Sequence, residues 1–223
     1  MSQTKIVLAR QLTQKNSLLA AELRDSFAKK KITVINILGS PGAGKTSLLE
    51  ASLPVLSKKY RIMVIEGDLY TSRDAERIAE YGTVVAQINT EGGCHLDAQM
   101  IGDVLSGMSG QEPDLLFIEN IGNLVCPAAF DLGEDARVVV LSVSEGDDKP
   151  EKYPQIFRQA HYIILNKIDL LPYLDFNIDA VQIFLQKINS NAPVTQVAAA
   201  KGTGLDAWFG WLDEQVRLKK SGG

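Results

Sequence analysis

The stretch "GSPGAGKTS", Gly39 to Ser47, restricts the fold of this chain more than any other. It follows the apolar, β-branched run "ITVINIL" from Ile32 and leads into a helix-forming segment. The spacing is that of the G-x-x-x-x-G-K-S/T loop, which needs a strand before it and a helix after it. Glycines at such a loop let backbone N–H groups curl round a phosphate, and the helix N-terminus beyond adds its positive end. Gly39, Ser40, Pro41, Gly42, Ala43, Gly44 and Ser47 are the cradle residues. Lys45 is expected to bridge the β- and γ-phosphates, and the Thr46 hydroxyl to ligate Mg²⁺. The motif announces a nucleoside triphosphate but is silent on the base.

The rest of the chain agrees with that start. Six further apolar runs begin at Ile62, Thr83, Leu115, Val138, Tyr162 and Val194. Strands so uniformly apolar are buried on both faces, as in a mainly parallel sheet covered by helices. Helices are expected over 46–53, 72–81, 96–106, 152–159, 178–188 and 205–219, with Pro54 ending or kinking the first. Ahead of the first strand, "NSLLAAELRDSFAKK" places Leu19, Leu23 and Phe27 at helical spacing, with Asn16 or Ser17 as a cap. The predicted fold is therefore α/β, a P-loop NTPase with a mainly parallel sheet of about seven strands and helices on both faces. One domain is expected over 1–223, residues 1–31 forming a helical extension packed on it and 219–223 a disordered tail.

A net charge of −4 argues against a general nucleic-acid binder, and no run approaches the ~20 apolar residues of a membrane span. Nothing at the start reads as a signal peptide. Two cysteines are too few for a disulfide framework, so the expected compartment is the reducing cytoplasm.

"NKID", Asn166 to Asp169, follows the run "YIILN" and points to guanine. A carboxylate at Asp169 accepts from both N1–H and the 2-amino group, while Asn166 reaches the other edge and Lys167 lies between them. Adenine would leave the carboxylate unpaired, at a cost of roughly 1–3 kcal/mol or more. "AAAKG", with Ala200 and Lys201, is then the loop whose backbone covers the base. Asp68 and Glu119 each end a strand and are the expected Mg²⁺-holding or water-orienting acids, with Glu66 able to share the task. Lys45, Asp68 and Glu119 are the catalytic candidates. Arg73 is the one weak candidate for an arginine finger, so slow intrinsic hydrolysis, well below ~1 s⁻¹, is expected.

Gly122 stands where P-loop GTPases sense the γ-phosphate, and Cys126 follows four residues later. Cys94 and His95 lie just past the third strand, at the same edge of a parallel sheet. Two thiolates and an imidazole suit a late transition metal such as Ni²⁺ or Zn²⁺. Three ligands leave the site open to water, an acid or a second subunit. Asp97 is a candidate auxiliary ligand or hydrogen-bond acceptor. The competing readings are core cysteines and a regulatory Cys94–Cys126 disulfide; His161, at a strand start, fits a structural role.

The chain resembles the GTPases that insert nickel into nickel–iron hydrogenase during its maturation. The likeness runs through "LAAELRDSFA", "GSPGAGKTSLLE", "VIEGDLYTSRDAERI", "INTEGGCHLDAQMI", "FIENIGNLVCPAAFDLGE", "SEGDDKPEKYPQIF" and "NKIDLLPY". It implies a homodimer favoured by GTP, with nickel at Cys94, His95 and Cys126 held at the interface and released on hydrolysis. It also implies two partners, a small zinc-containing nickel metallochaperone and the hydrogenase large subunit. Lys149, in "GDDKP", is implied to contact the nucleotide site or the partner subunit. Met1 to Lys31 contains no Cys and no His, so the tight nickel binding or bulk storage of some members is not expected. The alternatives are a urease-type nickel GTPase, whose Cys-Pro-His pairing "GGCHLD" lacks, and a metal-binding scaffold with a structural GTP site. A partition-type ATPase would want Lys where Ser40 stands.

Overall fold

The computed structural model describes residues 2–69, 72–108 and 110–222, with side chains from Thr13 onward. All seven expected strands are present: β1 (Thr33–Gly39), β2 (Ile62–Asp68), β3 (Val84–Asn89), β4 (Leu115–Glu119), β5 (Ala136–Ser142), β6 (Tyr162–Asn166) and β7 (Val194–Gln196). They form one sheet in the order β3-β2-β4-β1-β5-β6-β7, and every pairing is parallel. The helices are α1 (Ser2–Lys30), α2 (Lys45–Leu56), α3 (Arg73–Ala79), α4 (Ala98–Gly107), α5 (Lys149–Lys152), α6 (Pro154–Arg158), α7 (Ile178–Ile188) and α8 (Asp206–Ser221).

Alternation along β1 divides the core. Ile35 and Ile37 pack with Leu49 and Leu53 of α2 and with Trp208 and Leu212 of α8. Val34 faces the opposite side with Phe27 of α1 and Ile101 of α4, while Leu38 joins Phe157, Val181 and Leu185 of α6 and α7. With both faces covered, the free side of the sheet is its C-terminal edge, where open α/β sheets place ligands. The P-loop after β1 opens at that edge.

Four expected boundaries differ, each for a local reason. Helix α2 runs through Pro54 to Leu56 because Pro54 is on the exposed side, where the carbonyl it leaves unbonded meets water. The helix expected over 152–159 is broken at Tyr153 (φ −127°), because Pro154 disfavours helical geometry in the residue before it. Asn16 and Ser17 do not cap α1, which continues N-terminal of them. The Asn16 side chain instead donates to the Asp131 carbonyl at 2.8 Å and accepts from Ala98 N–H at 2.8 Å. The tail is helical to Ser221 rather than disordered: Lys219 and Lys220 lie in the last turn of α8, and Lys219 Nζ pairs with Asp135 at 2.6 Å. Gly223 of that tail, like Tyr70 and Thr71 after β2, lies outside the described residues. No helix among the described residues is long and apolar enough to cross a membrane.

Candidate nucleotide and metal sites

A cavity of about 340 Å³ opens at the C-terminal edge, lined on one side by Pro41, Gly42, Gly44 and Lys45 and on the other by Asp68, Glu119 and Gly122. Gly44 takes a left-handed conformation (φ 96°) that carries the loop into α2. A Cβ there would meet Asn166 Nδ2 at 2.2 Å, so the P-loop and the "NKID" segment are in close packing.

Asn166 is 1% exposed and staples three loops together. Its Nδ2 donates to the Ala43 carbonyl at 2.9 Å, and its Oδ1 accepts from the N–H groups of Lys167 (2.8 Å) and Ala199 (3.1 Å). These three hydrogen bonds hold the base loop against the P-loop and leave the second Nδ2 hydrogen available. Lys167 Nζ donates to the Gly42 carbonyl at 2.7 Å. Asp169 pairs with Lys201 at 3.0 Å, on the turn that also exposes Ala200. The carboxylate thus rests against a cation that a guanine edge would have to displace.

Lys45 is buried, its Nζ 3.2 Å from the Ser40 carbonyl. Burial pushes its pKa down, opposed by the nearby Glu119, Asp74, Glu145 and Glu66. Thr46 Oγ1 donates to Glu119 Oε1 at 2.7 Å. Glu66 and Glu119 are register partners on β2 and β4, so both aim at one place. Each has a buried Oε2 with no hydrogen-bond partner. Burial, and the negative charge of Glu119, push Glu66 up to about 8; burial pushes Glu119 up to about 7. Ligand atoms of Glu66, Asp68 and Asp74 lie within 4.8 Å of one another. Orphaned carboxylate oxygens beside a phosphate cradle fit Mg²⁺, a hard, oxygen-seeking cation.

The raised pKa values carry a sign. Both carboxyls hold their proton more tightly in the folded chain than in the unfolded one, where the value is near 4.5. Their contribution to stability is therefore complete below about pH 4.5 and is lost as pH rises through about 7 to 8. Without ligands, the melting temperature of the wild type is expected to fall more steeply between about pH 5 and pH 8 than that of Glu66→Gln. Parallel melting profiles would exclude Glu66 as a source of the pH dependence.

Two charged residues of this cleft escaped the sequence reading. Asp74 and Arg77 line it from α3, paired at 2.8 Å, with Arg77 also bound to Glu50. Their signal was an i, i+3 acid–base pair in the helix directly after "EGD". Arg73, the weak finger candidate, is exposed and does not line the cavity.

The second cluster adjoins the first. Cys94 Sγ lies 3.6 Å from His95 Nδ1, and Cys126 is its hydrogen-bonding neighbour, which with burial pushes the Cys94 thiol up. The three ligand atoms do not converge as closely as the acidic trio does. His95 is held by Phe130, whose ring stacks on it with centroids 3.7 Å apart. Asp97 is the N-cap of α4, its Oδ1 accepting from Met100 N–H at 2.9 Å. Lys149 Nζ sits over the Tyr153 ring at 5.7 Å. His161 is structural as expected, its Nδ1 accepting from Arg137 N–H at 3.0 Å.

Asn123, also unforeseen, joins the two clusters. Its N–H donates to the Gly39 carbonyl at 3.1 Å and its Nδ2 to the Cys94 carbonyl at 3.2 Å. Gly122 before it leaves no room for a side chain, since a Cβ would lie 2.8 Å from Pro41 backbone atoms.

Comparison with known proteins gives a consistent answer. The family model described as "CobW/HypB/UreG, nucleotide-binding domain" matches residues 33–196. Hydrogenase maturation factor HypB of Azotobacter vinelandii is 46% identical over 96% of this chain and 71% of its own length. The crystal structure of HypB from Archaeoglobus fulgidus superposes with a TM-score of 0.85 at 36% identity, covering 91% of this chain and 99% of the other. That of HypB from Helicobacter pylori in complex with nickel gives 0.85 at 38% identity, covering 91% and 95%. With its P-loop, its paired acidic strand ends and its adjoining Cys-His and Cys loops, the chain belongs to the HypB family of hydrogenase maturation factors.

Proposed function

We propose that this chain is a GTP-hydrolysing nickel carrier for hydrogenase maturation, in which the nucleotide controls a homodimer and the metal between its subunits. GTP occupies the cleft, with Lys45 against the β- and γ-phosphates and Asp169 against the guanine edge. Thr46, Asp68 and Glu119 would hold Mg²⁺, joined by Glu66 and Asp74; the ion would neutralise phosphate charge. Asp68 and Glu119 orient the attacking water, and turnover is slow because Arg77 is held by Glu50 and Asp74. Nickel is cargo at Cys94, His95 and Cys126, a donor set that zinc also satisfies. The expected partners are the zinc-containing metallochaperone and the hydrogenase large subunit, in the cytoplasm.

One observation carries the proposal: Asn123 touches both the end of the P-loop strand and the Cys94 loop. A loop that shifts on γ-phosphate loss therefore shifts the metal site, because one element serves both. Nickel binding that follows the nucleotide is the expected outcome, with affinities in a GTP analogue and in GDP differing by about 5- to 150-fold. Gel filtration should show the dimer with the analogue, and Cys126→Ala should lose nickel in both states. Identical titrations and elution volumes in the two nucleotides would overturn the reading.

A further inference from the structure

Asn36 interrupts the apolar face of β1 between Val34 and Leu38, and it is fully buried. A buried amide persists only where its groups are paired, since an orphan costs about 1–3 kcal/mol. Its Oδ1 accepts from Asn120 Nδ2 at 3.2 Å, and its Nδ2 donates to Glu134 Oε1 at 3.3 Å. Asn120 lines the nucleotide cleft at the end of β4, and its own Oδ1 accepts from Ile121 N–H at 2.9 Å. Glu134 also accepts from Leu132 N–H at 2.6 Å and from Arg137 Nε at 2.6 Å.

Arg137 then turns outward to the loop that carries Cys126. Its Nη1 donates to the Ala128 carbonyl at 3.2 Å and its Nη2 to the Phe130 carbonyl at 3.1 Å. Phe130 is the ring against which His95 lies. A continuous line of contacts therefore runs from the wall of the nucleotide cleft, under the sheet face, to an expected nickel ligand, buried from Asn120 to Glu134 and partly exposed from Arg137 to His95.

None of these groups touches the nucleotide cradle except Asn120, and none is a metal ligand. Their arrangement is over-determined for packing alone: an apolar residue at position 36 would fill the same face. Because Asn120, Asn36 and Glu134 are buried and hydrogen-bonded, a shift at Asn120 moves its partners or breaks a hydrogen bond in low dielectric, and Arg137 carries the shift outward. We propose that the line from Asn120 through Asn36, Glu134 and Arg137 to Phe130 couples the nucleotide cleft to His95, with Arg137 and Phe130 as positioning residues. This rests on the nucleotide-controlled nickel reading above and adds a second route to the one through Asn123. Asn123 reaches the Cys94 backbone; the buried line reaches the His95 ring and the Cys126 loop.

The test is nickel titration of the chain with a GTP analogue and with GDP, for the wild type, Arg137→Lys and Phe130→Leu. The quantity of interest is the ratio of the two nickel affinities, which a purely structural role would leave alone. Arg137→Lys keeps the charge beside Glu134 and loses the two carbonyl contacts. Phe130→Leu leaves the buried polar line intact and removes only the stack, so it decides the matter even if Arg137→Lys folds poorly. The ratio is expected to fall at least about threefold in each variant, while nucleotide affinity without nickel stays within about twofold of wild type. Phe130→Leu with the wild-type ratio overturns the proposal, whether or not nickel binds more weakly overall. A wild-type ratio of one overturns the nucleotide-controlled reading itself, and the proposal with it.

Discussion

Lys45→Ala is expected to lower GTP turnover by about 10²- to 10³-fold, the scale on which one preorganised charge acts on a transition state. The Lys45 ammonium rests near the Ser40 and Gly39 carbonyls, at 3.2 Å and 3.5 Å. Those are weak partners for a buried cation, and burial already pushes its pKa down. Incoming phosphate oxygens replace neutral carbonyls by charged acceptors, roughly doubling the strength of each hydrogen bond. That gain grows as negative charge accumulates on the leaving phosphates, so the loss falls on turnover more than on binding. Phosphate release under single-turnover conditions is the measurement. An unchanged rate with GTP still bound would remove Lys45 from the chemistry.

Asp169→Asn should alter the choice of base. The guanine edge offers two adjacent donors, and in the proposed function Asp169 is the acceptor for both. An amide keeps one acceptor and sets an N–H against the other donor, so GTP affinity is expected to fall by about 10- to 10³-fold. A base with a carbonyl where guanine has its 2-amino group would meet that new N–H and should bind relatively better. Lys201, released from its 3.0 Å pair with Asp169, cannot restore the lost acceptor because ammonium only donates. Competition titrations of GTP against the xanthine nucleotide read this directly. Equal GTP affinity in wild type and variant would remove Asp169 from base recognition.

Much of this was legible in the chain itself. The seven apolar runs became seven parallel strands because continuous β-branched segments pack only where both faces are covered. The P-loop and "NKID" were legible because their chemistry is local, each being a short run whose order sets its shape. Contacts between distant segments were not. Asn16 reads as a cap in sequence and proves to be a bridge between residues 82 and 115 positions away. Asn166 reads as a base contact, and its further role as a staple was not legible, because nothing in "NKID" reveals that Ala43 and Ala199 lie beside it. The break at Tyr153 was readable from Pro154, but the helical periodicity of the flanking residues hid it. The acids of the cleft were found one strand end at a time; Asp74 and Arg77 required knowing that α3 folds back over β2.

Asn16 carries a consequence for the N-terminal helix. It holds Ala98, three residues past His95, and Asp131, five residues past Cys126, in a single side chain. Arg24, two turns along α1, pairs with the Asp131 carboxylate at 2.6 Å. The helix is thus a splint laid across the loops that carry His95 and Cys126, fixing their spacing from outside the sheet.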